Sequence, residues 1–266
     1  MEVKFKPKIF IHSLLSDDLL SRLEKNFDID HHDTIKSILS GNELLDRVKN
    51  VEGILVQSAL IDKTLIEACP NLKVICNVGV GFDNIDANFC TKMGIQVTNT
   101  PGILNDAVAD MSMALLLAVA RRVPEGDRIV RSGGFKSNFY HLLWGADLRG
   151  ENLGIIGMGS IGQDVAKRAI PFGLNIKYHN RNRLSKNIES SLNGEWMSLE
   201  GLLKSCRYIL ILCPLTKETK HLITIKEFES MKKDSFLINI ARGPIVKESD
   251  LIIALENKLI SGCALD

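Results

Sequence analysis

A glycine pattern near the middle of the chain has the spacing of a phosphate-binding turn. Residues 153–162 read Leu-Gly-Ile-Ile-Gly-Met-Gly-Ser-Ile-Gly, an apolar run broken by spaced glycines. Gly157 permits a sharp turn, Gly159 lets the backbone approach a pyrophosphate, and Gly162 lets the following helix pack closely on the strand. The phosphates would lie against the N–H groups at the positive end of that helix. We interpret the stretch as strand, turn and helix; a glycine turn without a ligand is the alternative.

The next predicted strand of this region ends in a polar and basic loop. Asn180 follows it at close to the ~20-residue separation expected of a residue that reads the ribose. An acid there would repel a 2′-phosphate, whereas Asn180 is neutral and is followed by Arg181, Arg183 and Lys186. Guanidinium groups suit bidentate contact with phosphate, so the loop favours NADPH, with NADH possible. The alternative is that these basic side chains are simply solvated.

Two further stretches could hold an anion. Arg242 follows the predicted buried strand 236–240, and ligands of open α/β sheets bind at the carboxyl ends of strands. A guanidinium there could hold an anionic substrate, although without further context a strand-end arginine more often serves structure. The glycine-rich stretch 77–86 offers backbone amides for a carboxylate, or else is a turn without a ligand.

The composition excludes several classes of partner. The chain has 266 residues, of which 45% are hydrophobic and 24% charged, with a net charge of +1. Such a small charge creates no field that would recruit nucleic acid or an anionic membrane, and no apolar run reaches the length of a membrane span. The six cysteines include no C-x-x-C pair. They predict reduced, buried thiols in the cytoplasm, and no metal site.

Alternating strand and helix patterns predict an α/β fold with parallel sheets in two domains, 1–104 and 105–266. In the first domain, Ser16 and Asp62 are predicted helix N-caps. The predicted strands are 8–11, 53–56, 72–76 and 95–98, then 153–156, 176–179, 208–212, 236–240 and 261–265. A long apolar helix over 106–122 leads to the aromatic-rich segment 123–148, which contains Phe135, Phe139, Tyr140 and Trp144. That segment would bury little by itself, so we expect it to form a homodimer interface together with the 106–122 helix.

With these pieces assembled, the chain resembles the D-isomer-specific 2-hydroxyacid dehydrogenase family, most closely its glyoxylate/hydroxypyruvate reductases. The stretches that carry the resemblance are 77–86, 98–102, 106–122, 153–162, 213–216, 238–243 and 264–266. It implies a flavodoxin-like substrate domain over 1–104 and a Rossmann dinucleotide-binding domain over 105–266. It also implies an NADP(H)-preferring enzyme that transfers hydride to a small 2-oxo acid, and it points to a homodimer.

The resemblance assigns roles to individual residues. Val80 and Gly81 match backbone that holds the substrate, and Arg242 matches the arginine that binds the substrate's carboxylate and keto oxygen. Arg181 matches the arginine beside the 2′-phosphate in NADP-dependent members. The remaining predicted cofactor contacts are Gly157, Gly159, Ser160, Ile161, Gly162, Asn180, Arg183, Cys213, Pro214, Ile240, Ala241 and Asp266.

The pattern departs from the family in one respect. The family's proton donor is a histidine assisted by a glutamate, and both normally follow the Ala-Leu-Asp motif that ends here at Asp266. We therefore expect the dinucleotide-binding domain to be incomplete at its C-terminal end, with the proton donor beyond Asp266. Two other readings stay open, namely a cofactor-sensing protein similar to the co-repressors of this fold and a truncated inactive homologue.

Overall fold

The computed structural model describes residues 5–35, 37, 39, 41–136 and 143–266. The chain forms two compact units, Met1–Leu104 and Asn105–Asp266. Each unit is built on its own parallel sheet. Within the described ranges, no helix has the length and apolar character that crossing a membrane requires.

The first unit alternates strands and helices along its whole length. Its elements are β1 (Lys8–His12), α1 (Asp17–Glu24), β2 (Asp28–His32), α2 (Gly41–Val48), β3 (Gly53–Val56), α3 (Lys63–Glu67), β4 (Val74–Asn77), α4 (Ala87–Lys92) and β5 (Gln96–Thr98). The sheet order is β2-β1-β3-β4-β5, with every pair parallel. This is the flavodoxin-like order, so the predicted fold of this unit is confirmed.

Short polar side chains set the starts of three helices in the first unit. Ser16 accepts a hydrogen bond from the backbone N–H of Leu19 at 3.4 Å, and Asp62 accepts one from Leu65 at 3.0 Å. Asp86 caps α4 in the same way. The predicted N-caps of α1 and α3 are thus confirmed, because each oxygen satisfies an N–H that has no partner inside the helix.

The second unit contains the longer series of elements. They are α5 (Asn105–Ala120), α6 (Val123–Arg131), β6 (Asn152–Ile156), α7 (Ser160–Ala169), β7 (Asn175–His179), α8 (Lys186–Leu192), β8 (Glu195–Trp196), α9 (Leu199–Ser205), β9 (Tyr208–Ile211), α10 (Ile225–Ser230), β10 (Phe236–Asn239), α11 (Glu248–Glu256) and β11 (Gly262–Leu265). The parallel sheet has the order β11-β10-β9-β6-β7-β8. Counted from β6, this is the Rossmann order 3-2-1-4-5-6 read from the other edge, as predicted.

The strand order reverses between β6 and β9, which lie side by side with Leu153 opposite Tyr208. The chain runs from β6 outward to β7 and β8, then returns to β9 on the other side. At such a reversal the connections leave in opposite directions, so a crevice opens beyond the carboxyl ends of the two strands. The fold therefore predicts a ligand site next to the ends of β6 and β9.

The long apolar helix is shorter than the sequence predicts. Helix α5 ends at Ala120 instead of continuing to Arg122, because Arg122 has a left-handed backbone (φ 56°) and a new helix, α6, begins at Val123 with Pro124 in its first turn. Segment 123–148 therefore contains a helix where none was predicted, and α6 buries no residue. Phe139 and Tyr140 lie outside the described residues.

Helix α5 covers one face of the Rossmann sheet. It buries Ala109, Met113 and Leu116 in the same cluster as residues of β6 and α7. Arg168 of α7 joins the two helices by ion pairs to Asp106 and Asp110, both at 2.7 Å. The helix is thus fixed on the sheet by an apolar face and by charges at its edge.

Two histidine rings are stacked at the edge of the first unit's sheet. His12 of β1 lies against His32 of β2 with ring centroids 5.6 Å apart and an angle of 13° between the planes. His12 is buried, and its Nδ1 has no hydrogen-bond partner within the described part of the chain. Burial first, and then the charge of His32, lowers the pKa of His12 below its ordinary value.

We expect the first unit to lose stability as the pH falls from about 7.5 to about 5.5. As the pH falls, the unfolded chain takes up a proton at His12 near pH 6.5, before the folded chain does. The free energy of unfolding therefore decreases at pH values below about 6.5, by up to about 1.4 kcal/mol for each unit by which the pKa is lowered. Both tryptophans, Trp144 and Trp196, lie in the second unit. Hydrogen exchange of the β1 and β2 amides is therefore the suitable measurement.

The variant His12→Phe should flatten this pH dependence, since the ring remains and the titration is removed. His221→Gln, which changes an exposed histidine of the second unit, serves as the matched control. Equal pH dependence in the two variants would show that His12 is not the titrating group.

Candidate functional site

A cavity of about 420 Å³ lies at the carboxyl ends of β6, β7 and β9. Its position is the crevice that the strand order predicts. The predicted cofactor contacts that line it are Gly157, Gly159, Asn180, Arg181, Cys213 and Pro214. Other lining residues include His179, Asn182, Leu212, Thr216 and Glu218. Its size lies within the range of small-molecule sites, about 300–1,000 Å³.

Each glycine of the turn answers a different steric demand. Gly157 has φ +105°, and a Cβ there would lie 2.5 Å from the backbone nitrogen of Cys213. A Cβ at Gly162 would lie 2.7 Å from the carbonyl oxygen of Gly157, whereas a Cβ at Gly159 would meet no atom within 4 Å. Gly157 and Gly162 therefore permit close backbone packing, whereas Gly159 leaves open space. This geometry matches the roles that the spacing predicts.

The start of α7 faces this open space. The helix begins at Ser160, and its N-cap, Gly159, supplies no side-chain oxygen to the first turn. Gln163 donates its backbone N–H to Gly159 at 3.0 Å. The earlier N–H groups of a helix have no intrahelical partner and carry the positive end of its dipole. Ser160 and Ile161 thus present amides suited to a pyrophosphate, which is the chemistry predicted for them.

Asn180 has a structural role that the sequence did not reveal. Its Oδ1 accepts a hydrogen bond from the backbone N–H of Met158 at 2.7 Å, and its Nδ2 donates to the Met158 carbonyl at 3.3 Å. The indole N–H of Trp196 donates to the Asn180 carbonyl at 3.1 Å. The side chain therefore joins the end of β7 to the glycine turn, while it also lines the cavity.

The two arginines of the basic loop differ in their surroundings. Arg181 lines the cavity and is exposed. Arg183 is absent from the cavity lining, because its guanidinium donates from Nε and Nη2 to the two carboxylate oxygens of Glu189 at 2.7 and 2.9 Å. That pairing, together with the hydroxyl of Tyr178, holds the pKa of Glu189 down to about 2. The cofactor contact predicted for Arg183 stays a prediction, and the Nε and Nη2 donors of its guanidinium are used by Glu189.

Directly beside the glycine turn, the cavity wall is formed by the segment that follows β9. Burial raises the pKa of the Cys213 thiol to about 11, so this side chain is a neutral, unreactive wall. Thr219 donates its hydroxyl hydrogen to the Pro214 carbonyl at 2.6 Å and accepts from the backbone N–H of Thr216 at 2.7 Å. These bonds close the turn that carries Glu218 at the rim.

The end of β10 is organised by Asn239, which sequence reasoning missed. This buried side chain accepts from the backbone N–H of Ala241 and donates to the carbonyl of Arg242, both at 3.0 Å. The Asn239 carbonyl accepts from the backbone N–H of Asp266, also at 3.0 Å. Arg242 and Asp266 are exposed at neighbouring strand ends, and Arg242 also donates from Nη1 to the Ala241 carbonyl at 2.9 Å. With Ile240 and Ala241, they lie outside the lining of the cavity described above.

In the first unit, the glycine-rich loop after β4 has its carbonyl groups tied down. Asn77 donates from Nδ2 to the Gly81 carbonyl at 2.8 Å, and Asn99 donates to the Val80 carbonyl at 2.9 Å. The backbone N–H of Thr100 donates to the Gly79 carbonyl at 3.0 Å. With these carbonyls engaged, the loop is held in one conformation, which suits the backbone at Val80 and Gly81 to the predicted role of holding a carboxylate.

No metal centre accompanies these features in the described ranges, where no group of three or more His, Cys, Asp or Glu side chains could hold an ion. The groups that the two loops and the strand ends offer are backbone amides and the guanidinium groups of Arg181 and Arg242, and both kinds of group bind and orient anions.

A matched pair of glycine substitutions separates packing from ligand approach. Gly157→Ala should destabilise the second unit by about 2 kcal/mol or more, because its Cβ meets the backbone of Cys213 and its φ is positive. Gly159→Ala should change stability by about 1 kcal/mol or less and still weaken dinucleotide binding, since its methyl group fills the approach to the turn. Urea unfolding followed by tryptophan fluorescence and nucleotide titration would measure both. Equal losses of stability would contradict these distinct roles.

Comparisons with known proteins agree with this geometry. The family model described as "D-isomer specific 2-hydroxyacid dehydrogenase, NAD binding domain" matches residues 113–266. The curated glyoxylate reductase of Pyrococcus horikoshii is 43% identical over 266 residues, which cover 98% of this chain and 79% of that protein.

Solved structures give the same result. The chain is similar to a glyoxylate reductase from Paecilomyes thermophila, with a TM-score of 0.86 and 28% identity over 98% of this chain and 81% of that one. It is also similar to the NADPH-dependent glyoxylate/hydroxypyruvate reductase of Sinorhizobium meliloti in complex with NADP and malonate, with a TM-score of 0.84 and 28% identity over 98% of this chain and 79% of that one. The chain therefore belongs to the D-isomer-specific 2-hydroxyacid dehydrogenases, enzymes that use a nicotinamide cofactor to interconvert 2-oxo and 2-hydroxy acids.

Proposed function

We propose that this protein reduces a small 2-oxo acid, glyoxylate or hydroxypyruvate, with NADPH. The observation that carries the proposal is the cavity at the strand-order reversal, bounded on one side by the glycine turn and on another by Arg181. Support for the substrate comes from the 43% identity with a glyoxylate reductase. A cofactor-sensing, co-repressor-like role is the less favoured candidate, because the basic loop suits a reductase and the similar proteins named above are reductases.

The residues present fit a dinucleotide. A pyrophosphate needs backbone amides without side chains in its path, and Gly159 leaves that path open at the start of α7. Cys213 and Pro214 form an uncharged part of the cavity wall. The bound cofactor supplies the hydride. The protein binds the cofactor, orients it and excludes water from the site.

Arg242 is the proposed substrate anchor. Its guanidinium binds the carboxylate and polarises the keto carbonyl, so that charge developing on the oxygen is stabilised. Because it stays charged at any ordinary pH, it supplies no proton to the resulting alkoxide. Val80 and Gly81 remain predicted backbone contacts to the substrate, and Ile240, Ala241 and Asp266 remain predicted cofactor contacts.

Arg242→Ala should lower kcat/KM by roughly 10²-fold or more in the native gene product, since one group both binds and polarises the substrate. NADPH oxidation with glyoxylate and with hydroxypyruvate is the measurement. Arg149→Ala, which removes an exposed arginine just before β6, at the amino ends of the strands and outside the cavity lining, is the matched control.

Loss of less than threefold in Arg242→Ala would exclude the proposed anchor. Failure of the wild-type protein to oxidise NADPH with either acid would contradict the proposed substrates.

The preference for NADPH is proposed to depend on Arg181. Arg181→Ala should weaken NADPH binding about 10- to 100-fold and leave NADH binding nearly unchanged, because a charge-assisted bond to the 2′-phosphate contributes about 1.5–3 kcal/mol. Fluorescence titration with each cofactor measures the two dissociation constants, with Arg149→Ala again as the control. An equal loss for both cofactors would contradict the proposal.

We further propose that α6 and the segment after it form a homodimer interface. The exposed fractions are 57% for Val123, 61% for Val130, 53% for Phe135 and 72% for Trp144. Apolar side chains clustered in one segment mark an interaction surface more often than a solvated one. A second copy of the same chain is the proposed occupant, because symmetric homodimers are the commonest soluble assemblies.

Sedimentation should therefore show a dimer at micromolar concentration, and Val130→Asp with Trp144→Asp should shift it to monomer. Ile252→Asp, which places the same charge at a 51% exposed isoleucine on α11, should leave the dimer intact. A monomeric wild-type chain would refute this assembly.

A further inference from the structure

The basic loop rests on a buried carboxylate. Glu189 of α8 is only 8% exposed, and burial of a carboxylate is unfavourable unless it is paired and hydrogen-bonded. Arg183 donates to both of its oxygens, at 2.7 and 2.9 Å. The hydroxyl of Tyr178 donates to Oε1 at 2.6 Å. Glu189 is thus held by two partners, one in β7 and one in the loop that joins β7 to α8.

The same contacts fix the second half of that loop. Tyr178 is fully buried at the end of β7, and its hydroxyl oxygen accepts the backbone N–H of Leu184 at 2.9 Å. Arg183 is held by Glu189. The path of the loop from 183 to 184 is therefore defined by the core below it, although the loop itself lies at the surface.

The first half of the loop is fixed independently. Asn180 is bonded to the backbone of Met158 through its side chain and to Trp196 through its carbonyl. Between the two anchored ends lie Arg181 and Asn182, and these are the loop residues that face the cavity together with Asn180. Two residues suspended between two fixed points have little freedom to move away from the cavity.

We infer that Tyr178, Glu189 and Arg183 form a positioning network that holds Arg181 at the cavity and thereby sets the preference for a 2′-phosphorylated cofactor. The inference rests on the proposed role of Arg181. It differs from the simpler reading of the basic loop, in which each arginine contacts phosphate. Arg183 has its Nε and Nη2 occupied by Glu189 and acts through Arg181.

The physical basis is preorganisation. A guanidinium on a loose loop loses conformational entropy when it binds a phosphate, whereas one on an anchored loop has already lost part of it. Weakening the anchor should therefore reduce the affinity for NADPH. NADH has no 2′-phosphate for Arg181 to contact, so its affinity should change little. A network that only stabilised the fold would lower the affinity for both cofactors alike.

The test is a double-mutant cycle on the NADPH-to-NADH ratio of dissociation constants, measured by fluorescence titration. Glu189→Gln removes the charge at nearly constant shape, and Tyr178→Phe removes only the hydroxyl. Each should reduce NADPH preference roughly tenfold, which corresponds to about 1.4 kcal/mol. Adding Glu189→Gln to Arg181→Ala should change the ratio no further, because residues that act through one another are not additive.

Asp250→Asn is the matched control. Asp250 is also a buried helical carboxylate, with a basic partner in Lys247 and a backbone donor in Ile225, but it lies on α11 and does not line the cavity. Its replacement should lower the thermal unfolding temperature and leave the cofactor ratio unchanged.

The outcomes separate the two proposals. If Arg181→Ala leaves the ratio unchanged, or if the wild-type chain binds neither cofactor, the proposed function fails. If Arg181→Ala abolishes the preference but Glu189→Gln and Tyr178→Phe do not alter it, or alter it additively, the positioning network is refuted. Failure of both network variants to fold would make the network purely structural and refute the inference as well.

Discussion

The close approach of two backbone segments at Gly157 is the constraint on which the second unit depends. The end of β6 lies so near the end of β9 that a Cβ at residue 157 would overlap the backbone of Cys213. Because β6 and β9 flank the point where the strand order reverses, this contact brings the glycine turn to the crevice. Gly162 then lets α7 start directly against the Gly157 carbonyl. Because Gly157 and Gly162 have no side chain, the start of α7 can be placed with its amides towards the cavity.

The clearest strand signals in the sequence are continuous apolar runs. The four residues of β9 and of β10 are all buried, and this pattern can be read without tertiary information. By contrast, β2 reads Asp-Ile-Asp-His-His at the sheet edge, and β8 has two residues. Edge strands carry polar side chains and depend on their neighbour for pairing, so periodicity alone gives no signal for them. The early end of α5 is a local backbone event at Arg122, and composition does not encode it.

The site shows the same division between local and non-local information. The sequence predicted which residues follow the strands, and the fold brings Gly157, Asn180, Arg181 and Cys213 around one cavity. The sequence did not predict the hydrogen bonds that hold these residues, because such bonds join positions far apart in the chain. Asn180 bonds to Met158, which precedes it by 22 residues. Asn239 was missed for a different reason: its side chain bonds to the nearby backbone of Ala241 and Arg242, but an asparagine at the end of a buried strand gives no sign of which backbone groups it will bind.

The charges around the cavity bear on the role proposed for Arg181. Glu218 lines the same cavity, and the charge of Arg181 contributes to lowering the pKa of Glu218, after the larger effect of the hydrogen bond from Thr216. An acid and a base at one exposed rim largely cancel at a distance, and the remaining field is screened within about 10 Å at ordinary ionic strength. Long-range attraction therefore contributes little to choosing between two cofactors that differ by one phosphate. In the proposed function, short charge-assisted bonds to the 2′-phosphate make that choice, and their strength depends on distance and direction. A loop fixed at both of its ends supplies that geometry, which a merely basic composition does not.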